Sequence, residues 1–342
     1  HTEGDGGYYA DQVAVCVGTG TPSDHYGLET DPGFVRDPYP LAHTLETVES
    51  DSDVAIIGSG LTAVDIVVSL AARGHTGRIT LVSRSGVLPH VWQRPSGYRP
   101  RHLTAAGVAA LEKDRGAVRL DGIIELLRAD LSEAGEDYDG FAAELLATET
   151  EKPVERLRSQ LAAVGDGRIG RGLLQEAAHA VAPFAWRLLS ETDRSRLRRW
   201  FRVANSVVSP MVPVNAAAML WLFDSGQLGQ ATGVRAIDVE DGRFRVRSAD
   251  GDCAADVVIN AVNPPPHAIP AAAGQLVASL LAGGTAKPHA SGGLIPADPR
   301  LHVVGDLAGG GSFITAGIPA IAAQAARAGA AMFAEPAAAR LV

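Results

Sequence analysis

The chain has 342 residues, enough for two domains, with a formal net charge of −9 and only 5% aromatic residues. An acidic chain without a basic patch interleaved with aromatics argues against nucleic acid as a partner. No apolar run reaches membrane-spanning length and no signal peptide stands out, so a cytoplasmic protein without a membrane partner is expected.

Gly4-Asp5-Gly6-Gly7 reads as a hairpin turn. It leads through Tyr8-Tyr9-Ala10-Asp11 into a strand, Gln12 to Val17, and then into Gly18-Thr19-Gly20-Thr21-Pro22. A hairpin lacking its first arm sets the expectation of further polypeptide upstream. Pro32, Pro38 and Pro40 keep the connecting segment out of regular pairing. Cys16 and Cys253 lie in or beside apolar runs and read as buried free thiols, with neither metal-site nor Cys-x-x-Cys spacing.

Val54 to Ile57 is an apolar run of strand length, followed by Gly58-Ser59-Gly60 and a helix from Leu61 to Arg73. The first glycine permits the turn, the second lets backbone approach a pyrophosphate, and Ala63 replaces the third at the helix–strand contact. The helix N-terminus then offers unpaired N–H groups to the phosphates. The next strand, Ile79 to Ser83, ends in Ser83-Arg84-Ser85, where an NAD site ends in Asp or Glu. A guanidinium between two hydroxyls favours a 2′-phosphate, hence NADPH over NADH. A strand–turn–helix that binds nothing, and a solvated Arg84, stay open as alternatives. His90, near Trp92 and Arg94, reads as a surface-loop histidine before a nicotinamide-pocket residue.

From residue 103 to about 228 the chain reads as mainly helical, with helical spacing in Leu120, Ile123, Ile124 and Leu127 and again in Leu157, Leu161 and Val164. Arg194 to Arg202 reads as a solvated helix face before a cluster for a phosphate or an acidic substrate, and Met211, Pro213, Asn215 and Trp221 read as core packing before substrate-facing residues. Asp65 reads as structural. Arg235, Ile237 and Val239 alternate up to Asp241-Gly242, and Phe244 and Val246 alternate beyond it, the pattern of a hairpin. Ala255 to Ala261 is a buried strand preceded by another hairpin, with Asn260 and Asn263 at its end in cofactor or capping roles. This repeats the design of the chain's start: a turn, a short arm, Ala-Asp and a buried strand. One copy closes the domain opened at Val54. The other closes a domain whose opening lies elsewhere. Leu301 to Asp306 is a strand ending in Gly305-Asp306, Gly309 to Ser312 a small-residue loop, and Ile318 to Phe333 a helix. A carboxylate at that strand end suits a ribityl hydroxyl, and the helix N-terminus suits an electron-rich ring edge.

Residues 8–24, 52–95, 250–264 and 300–334 together resemble the flavoproteins with two dinucleotide-binding domains, the flavin monooxygenase and pyridine-nucleotide oxidoreductase superfamily. Within it the chain is similar to bacterial FAD/NAD(P)-binding proteins whose second motif reads like Gly58-Ser59-Gly60-Leu61-Thr62-Ala63-Val64-Asp65, followed by Val82-Ser83-Arg84 and Val87-Leu88-Pro89-His90. The resemblance implies an α/β fold: a Rossmann-like NADPH domain with a parallel sheet and crossover β-hairpin, a helical insertion, and the C-terminal part of an FAD-binding Rossmann-like domain. The boundaries implied are 1–30 for the end of the FAD domain, 50–102 for the first part of the NADPH domain and 103–228 for the helical, substrate-side insertion. Residues 229–265 close the NADPH domain and 266–342 return to the FAD domain.

By the same resemblance Gly58, Ser59, Gly60, Leu61, Thr62, Ser83, Arg84 and Ser85 become NADPH-side residues. Gly18, Thr19, Gly20, Asp306, Ser312, Thr315, Ala316, Gly317 and Ile318 become flavin-side residues. The family opens with its own Gly-x-Gly-x-x-Gly for the ADP part of FAD. This sequence has that motif only at Gly58, and Gly18-Thr19-Gly20 runs into Pro22 and not into a helix. A second polypeptide or an upstream segment is therefore expected to complete the FAD site. The activity implied is an NADPH-dependent FAD monooxygenase acting on a small molecule, with N-hydroxylation of an amine or amino acid as a subclass. A reductase or dehydrogenase without oxygen insertion, and a non-catalytic subunit of a split flavoprotein, are the alternatives. Cofactors carry such chemistry, so no acid–base residue is singled out as catalytic, and no metal constellation is present.

Overall fold

The computed structural model describes residues 9–289, 292–309 and 318–333. The chain forms two compact units, residues 1–21 with 264–342 and residues 22–263. The first unit opens with β1 (Val13–Val15). In the second, β2 (Phe34–Val35) leads through α1 (Leu41–Glu46) to β3 (Val54–Ile57), and α2 (Leu61–Ala72) connects β3 to β4 (Ile79–Val82). Nine helices follow: α3 (Ala105–Arg115), α4 (Leu120–Glu133), α5 (Tyr138–Leu146), α6 (Pro153–Ala162), α7 (Gly170–Ala180), α8 (Ala182–Leu188), α9 (Glu191–Arg199), α10 (Phe201–Val208) and α11 (Pro213–Asp224). The chain then returns as β5 (Leu228–Ala231), runs through the antiparallel meander β6 (Ala236–Glu240), β7 (Arg243–Arg247) and β8 (Cys253–Ala255), and ends the unit with β9 (Val257–Asn260).

The strand order β2-β9-β3-β4-β5 is parallel throughout. Every residue of β3 and β4 is buried, as expected of central strands covered on both faces. Strand alternation sends Val54 and Ile56 to one face, where α2 and α11 cover them with Val64, Val67, Met219 and Leu222. Ala55 and Ile57 go to the other face, under Ile237, Phe244 and Val246 of the meander. The β6–β7 turn sits on Asp241 and Gly242, whose φ values are +53° and +78°, the pair of positive angles that a two-residue hairpin turn requires. β5 continues the sheet where a helix end was expected. Leu-Gly-Gln-Ala carries no strand alternation, and only its pairing with β4 makes it a strand.

The helices build a further core around Val108, Leu131, Phe141, Leu173 and Leu189. The arginines of α9 are paired as a solvated face would have them, with Arg196 on Asp121 and Arg198 on Glu191. Trp221 departs from the expected core role: its side of α11 faces solvent and it is 65% exposed.

In the unit formed by 1–21 and 264–342, α12 (Gly274–Ala282) precedes the antiparallel pair β10 (Ala286–Pro288) and β11 (Leu294–Pro296), then β12 (Leu301–Val303) and α13 (Ile318–Phe333). β1 pairs in parallel with β12, Val13 opposite Leu301. Val15 joins Val277, Leu294 and Leu307 in a small core. Alternation turns the next residue, Cys16, outward, so its thiol is exposed and not buried as the apolar run suggested. Gly4 to Gly7 lies outside the described residues.

Candidate dinucleotide-binding site

The turn after β3 is wedged between two neighbouring strands. Gly58 N–H donates to the Val82 carbonyl at 2.8 Å, and Ala261 N–H donates to the Ile57 carbonyl at 2.8 Å. Gly58 has φ +118°, and a Cβ there would stand 3.2 Å from the Ala261 carbonyl oxygen. Glycine is needed here for both reasons. From β3 the chain moves to β4 and β5 on one side, while β9 arrives on the other, so the turn occupies the point where strand order reverses. In open parallel sheets ligands bind in that crevice, beyond the carboxyl ends of the strands.

Gly60 caps α2 in an extended conformation, φ −83° and ψ −167°, without a side-chain cap. A Cβ at Gly60 would meet nothing within 4 Å among the described residues. The first turn of α2 holds no acidic residue, and Ala63 is fully buried on the sheet. The N–H groups of Leu61 to Ala63 have no intrahelical partner and carry the positive end of the helix dipole. Such N–H groups at a helix start are suited to receive an anion. Ser59, named from the motif, is engaged elsewhere: its hydroxyl donates to the Val87 carbonyl at 2.7 Å.

At the end of β4, Ser83 Oγ accepts from Gly86 N–H at 2.9 Å and Gly233 N–H donates to the Arg84 carbonyl at 3.2 Å. The two bonds shape a turn that leaves the side chains of Arg84 and Ser85 exposed. Among the described residues the Arg84 guanidinium makes no ion pair. Ser83 thus shapes the turn, while Arg84 and Ser85 remain open to a ligand.

Beyond that turn the structure corrects the reading of His90. Residues 87–94 form an extended ribbon driven into the helices, and His90 is fully buried. Its N–H donates to the Ser206 carbonyl, its carbonyl accepts from Met211 N–H, and Nδ1 lies 3.2 Å from Ser206 Oγ. Val91 N–H reaches Gln160, Trp92 N–H the Met211 carbonyl and Arg94 N–H the Val164 carbonyl. Arg156 closes the ribbon's start with a 3.0 Å bond to the Leu88 carbonyl. Burial pushes the imidazole from 6.5 down to about 3, and the Arg156 and Arg171 charges add to the effect. The unfolded chain therefore takes up a proton near pH 6.5 that the folded one refuses until about 3. This contribution is full above pH 6.5 and is lost as the pH falls toward 3. Thermal melts between pH 7.5 and 5 are expected to show a falling Tm, with a shallower slope for His90→Asn.

Asn260 also resolves toward structure. It is buried, its amide donates to the carbonyls of Ser23 and Arg36, and its oxygen accepts from Val262 N–H. Asn263 lies beside α2 instead, with Oδ1 3.4 Å from the Thr62 hydroxyl.

The flavin-side residues lie in the other unit. The parallel pairing of β1 with β12 brings Gly18 to Gly20 and Gly305-Asp306 to the same sheet edge. Gly18, with φ +79°, and Thr19 are exposed. Gly20 is buried, and a Cβ there would overlap Ala268, so it serves close packing. Asp306 is buried, and Oδ2 already accepts from His267 N–H at 3.0 Å. Gln324 of α13, which carried no motif signal, accepts from Gly305 N–H at 2.9 Å. Ile318 opens α13 and is 83% exposed. Ser312, Thr315, Ala316 and Gly317 lie outside the described residues.

No protein-family model matches the chain, and no curated protein matches it. Among solved structures it is similar to L-lysine 6-monooxygenase from Pseudomonas syringae, at 14% identity and TM-score 0.49, over 94% of this chain and 63% of that one. It is similar to the ornithine hydroxylase of Pseudomonas aeruginosa at 12% identity and TM-score 0.47, over 93% and 62% of the two chains. It is also similar to an FAD-dependent pyridine nucleotide-disulphide oxidoreductase from Desulfovibrio vulgaris, at 12% and TM-score 0.43, over 95% and 54%. The chain thus spans between about half and just under two thirds of these structures. Likenesses of this size carry no argument about activity.

Proposed function

We propose that the chain supplies the NADPH site and part of the FAD site of a flavin-dependent oxidoreductase, a monooxygenase acting on a small molecule such as an amine or amino acid. The observation that carries the reading is the Gly58–Gly60 turn: a helix N-terminus without a side-chain cap, where a Cβ on Gly60 would meet no described atom, at the strand-order reversal and one strand away from Arg84, which makes no ion pair among the described residues. These features fit NADPH. The N–H groups of Leu61 to Ala63 hold the pyrophosphate, and Arg84 with Ser85 holds the 2′-phosphate. When bound, NADPH supplies a hydride and FAD accepts it and passes electrons on to oxygen.

For FAD the support is narrower. Gly18, Thr19 and Asp306 share one edge, and Asp306 keeps one carboxylate oxygen beyond its bond to His267. Among the described residues β1 and β12 form a sheet of two strands, and Val13 is 47% exposed. Parallel strands normally lie inside larger, covered sheets. A strand bearing Gly-x-Gly-x-x-Gly, from a second polypeptide or an upstream segment, is the partner this edge calls for.

The test of the activity is stoichiometric. In the flavin-loaded protein, NADPH consumed is expected to match oxygenated product. NADPH oxidation that reduces an acceptor without product would assign a reductase. The nucleotide preference has its own test. A close guanidinium–phosphate contact is worth about 1.5–3 kcal/mol, so Arg84→Ala is expected to weaken NADP⁺ about ten- to hundredfold and leave NAD⁺ nearly unchanged by calorimetry. Equal losses for both nucleotides would remove Arg84 from the 2′-phosphate.

A further inference from the structure

Four polar side chains gather on the side of the Gly58 turn away from Arg84. The Tyr39 hydroxyl lies 3.5 Å from Asp65 Oδ2, and the Thr62 hydroxyl lies 3.4 Å from Asn263 Oδ1. Thr62 and Asp65 are three residues apart on α2 and so share a face. The Tyr39 ring is 54% exposed, although it is anchored at its hydroxyl. Partial burial holds the Asp65 carboxyl above its ordinary 3.8, against the pull of the Tyr39 hydrogen bond.

The sheet fixes where this group lies. Tyr39 follows β2, Asn263 follows β9, Thr62 and Asp65 follow β3 on α2, and Arg84 follows β4. These four strands are consecutive in the sheet order and parallel, so all the residues project from one edge. With strands about 4.8 Å apart, β2 and β4 are separated by about 14 Å, and the glycine turn stands between them. A dinucleotide with its pyrophosphate on the α2 N-terminus and its 2′-phosphate on Arg84 must extend its other half over β9 and β2.

Resting on the dinucleotide reading above, we propose that Tyr39, Asp65, Thr62 and Asn263 form the subsite for the nicotinamide riboside. The Asp65 carboxylate and Asn263 Oδ1 accept from ribose hydroxyls. Thr62 donates, and Tyr39, oriented by Asp65, offers its flat face to the nicotinamide ring. An aromatic face beside a carboxylate suits the cationic, oxidised ring in particular.

Two probes separate the halves of the ligand. 2′,5′-ADP carries the adenosine half with its 2′-phosphate, and NADP⁺ carries both halves. For Tyr39→Ala and Asp65→Asn the dissociation constant of NADP⁺ is expected to rise about tenfold, the size of one or two lost contacts. That of 2′,5′-ADP is expected to stay within about twofold, which also reports an intact fold. Equal weakening of both probes overturns the proposal, because the residues then act on the fold or on the whole site. Unchanged NADP⁺ binding overturns it too, and leaves the dinucleotide reading standing if the wild type binds both probes. A wild-type protein that binds neither probe removes the dinucleotide reading and this subsite together.

Discussion

Gly60→Val is expected to abolish NADP⁺ binding while leaving the protein folded. A valine Cβ has free space at this position, and the extended backbone suits a β-branched residue. Its methyls then crowd the α2 N–H groups, on which the proposed reading seats the pyrophosphate. A loss of about a hundredfold or more is expected, roughly 2.8 kcal/mol, against about 1 kcal/mol of stability for a poorer cap. Calorimetric titration with NADP⁺, alongside a thermal melt, reads the two effects apart. Flavin retention should survive, and its simultaneous loss would assign the motif to the other cofactor. Gly58→Val does not give so clean a test. The positive φ and the nearby Ala261 carbonyl make that substitution strain the fold before any ligand is involved.

The largest effect on stability is expected at Asp130. This carboxylate is completely buried on α4 and gathers the segment before α3. Oδ1 accepts from the Tyr98 hydroxyl at 2.9 Å and Arg101 N–H at 2.8 Å, Oδ2 accepts from Leu103 N–H at 2.7 Å, and His102 N–H reaches both. Asp130→Ala takes the acceptor from the N–H groups of Arg101, His102 and Leu103, and the Tyr98 hydroxyl keeps only its 3.1 Å bond to the residue-130 carbonyl. A buried donor left unsatisfied costs about 1–3 kcal/mol, so losing a carboxylate that serves three of them is expected to cost a few kcal/mol in all, with water repaying part at the half-buried positions. For a unit of this size that lowers Tm by roughly 10 °C. Burial alone would raise the Asp130 pKa, but the donors from Leu103, Arg101, His102 and Tyr98 outweigh it and hold the group below 3.8. Its contribution is therefore present above that value and lost as pH falls through the folded-state pKa. Urea titrations at pH 7 should show the full difference between Asp130→Ala and wild type, and acid should narrow it. An equal midpoint at pH 7 would show that the segment is held by other means.

What was legible in the sequence is what local chemistry dictates. Val54 to Ile57 and Ile79 to Val82 are apolar enough to read as buried strands, and two glycines before a 3.6-period run mark the turn and the helix. Asp241-Gly242 announces its hairpin because few other residues accept two positive φ angles. The missed features depend on distant partners. β2 has two residues and is a strand only against β9. His90 sits in a Pro-containing segment that reads locally as a loop, yet its partners Ser206 and Met211 lie more than a hundred residues away. Tyr39 carries no motif, and only the strand order places it beside Thr62 and Asp65, whereas Asn263 was already a cofactor or capping candidate at its strand end. Gln324 was hidden for the same reason: Gly305 is its neighbour in space alone.

The buried ribbon of residues 87–94 has a consequence for protein engineering. The helices between β4 and β5 look, on paper, like a cassette that could be exchanged for another to change what the protein acts on. They are instead one wall of a shared mortise. Ser206, Met211, Gln160, Val164 and Arg156 supply the partners for the ribbon's backbone, and the ribbon begins at Val87, which the Ser59 hydroxyl ties to the glycine turn. A transplanted helical segment would have to bring its own set of donors and acceptors at those points, or leave the ribbon's polar backbone stranded. Variation in this region is better sought at exposed positions such as Val214 and Trp221, which lie outside the joint.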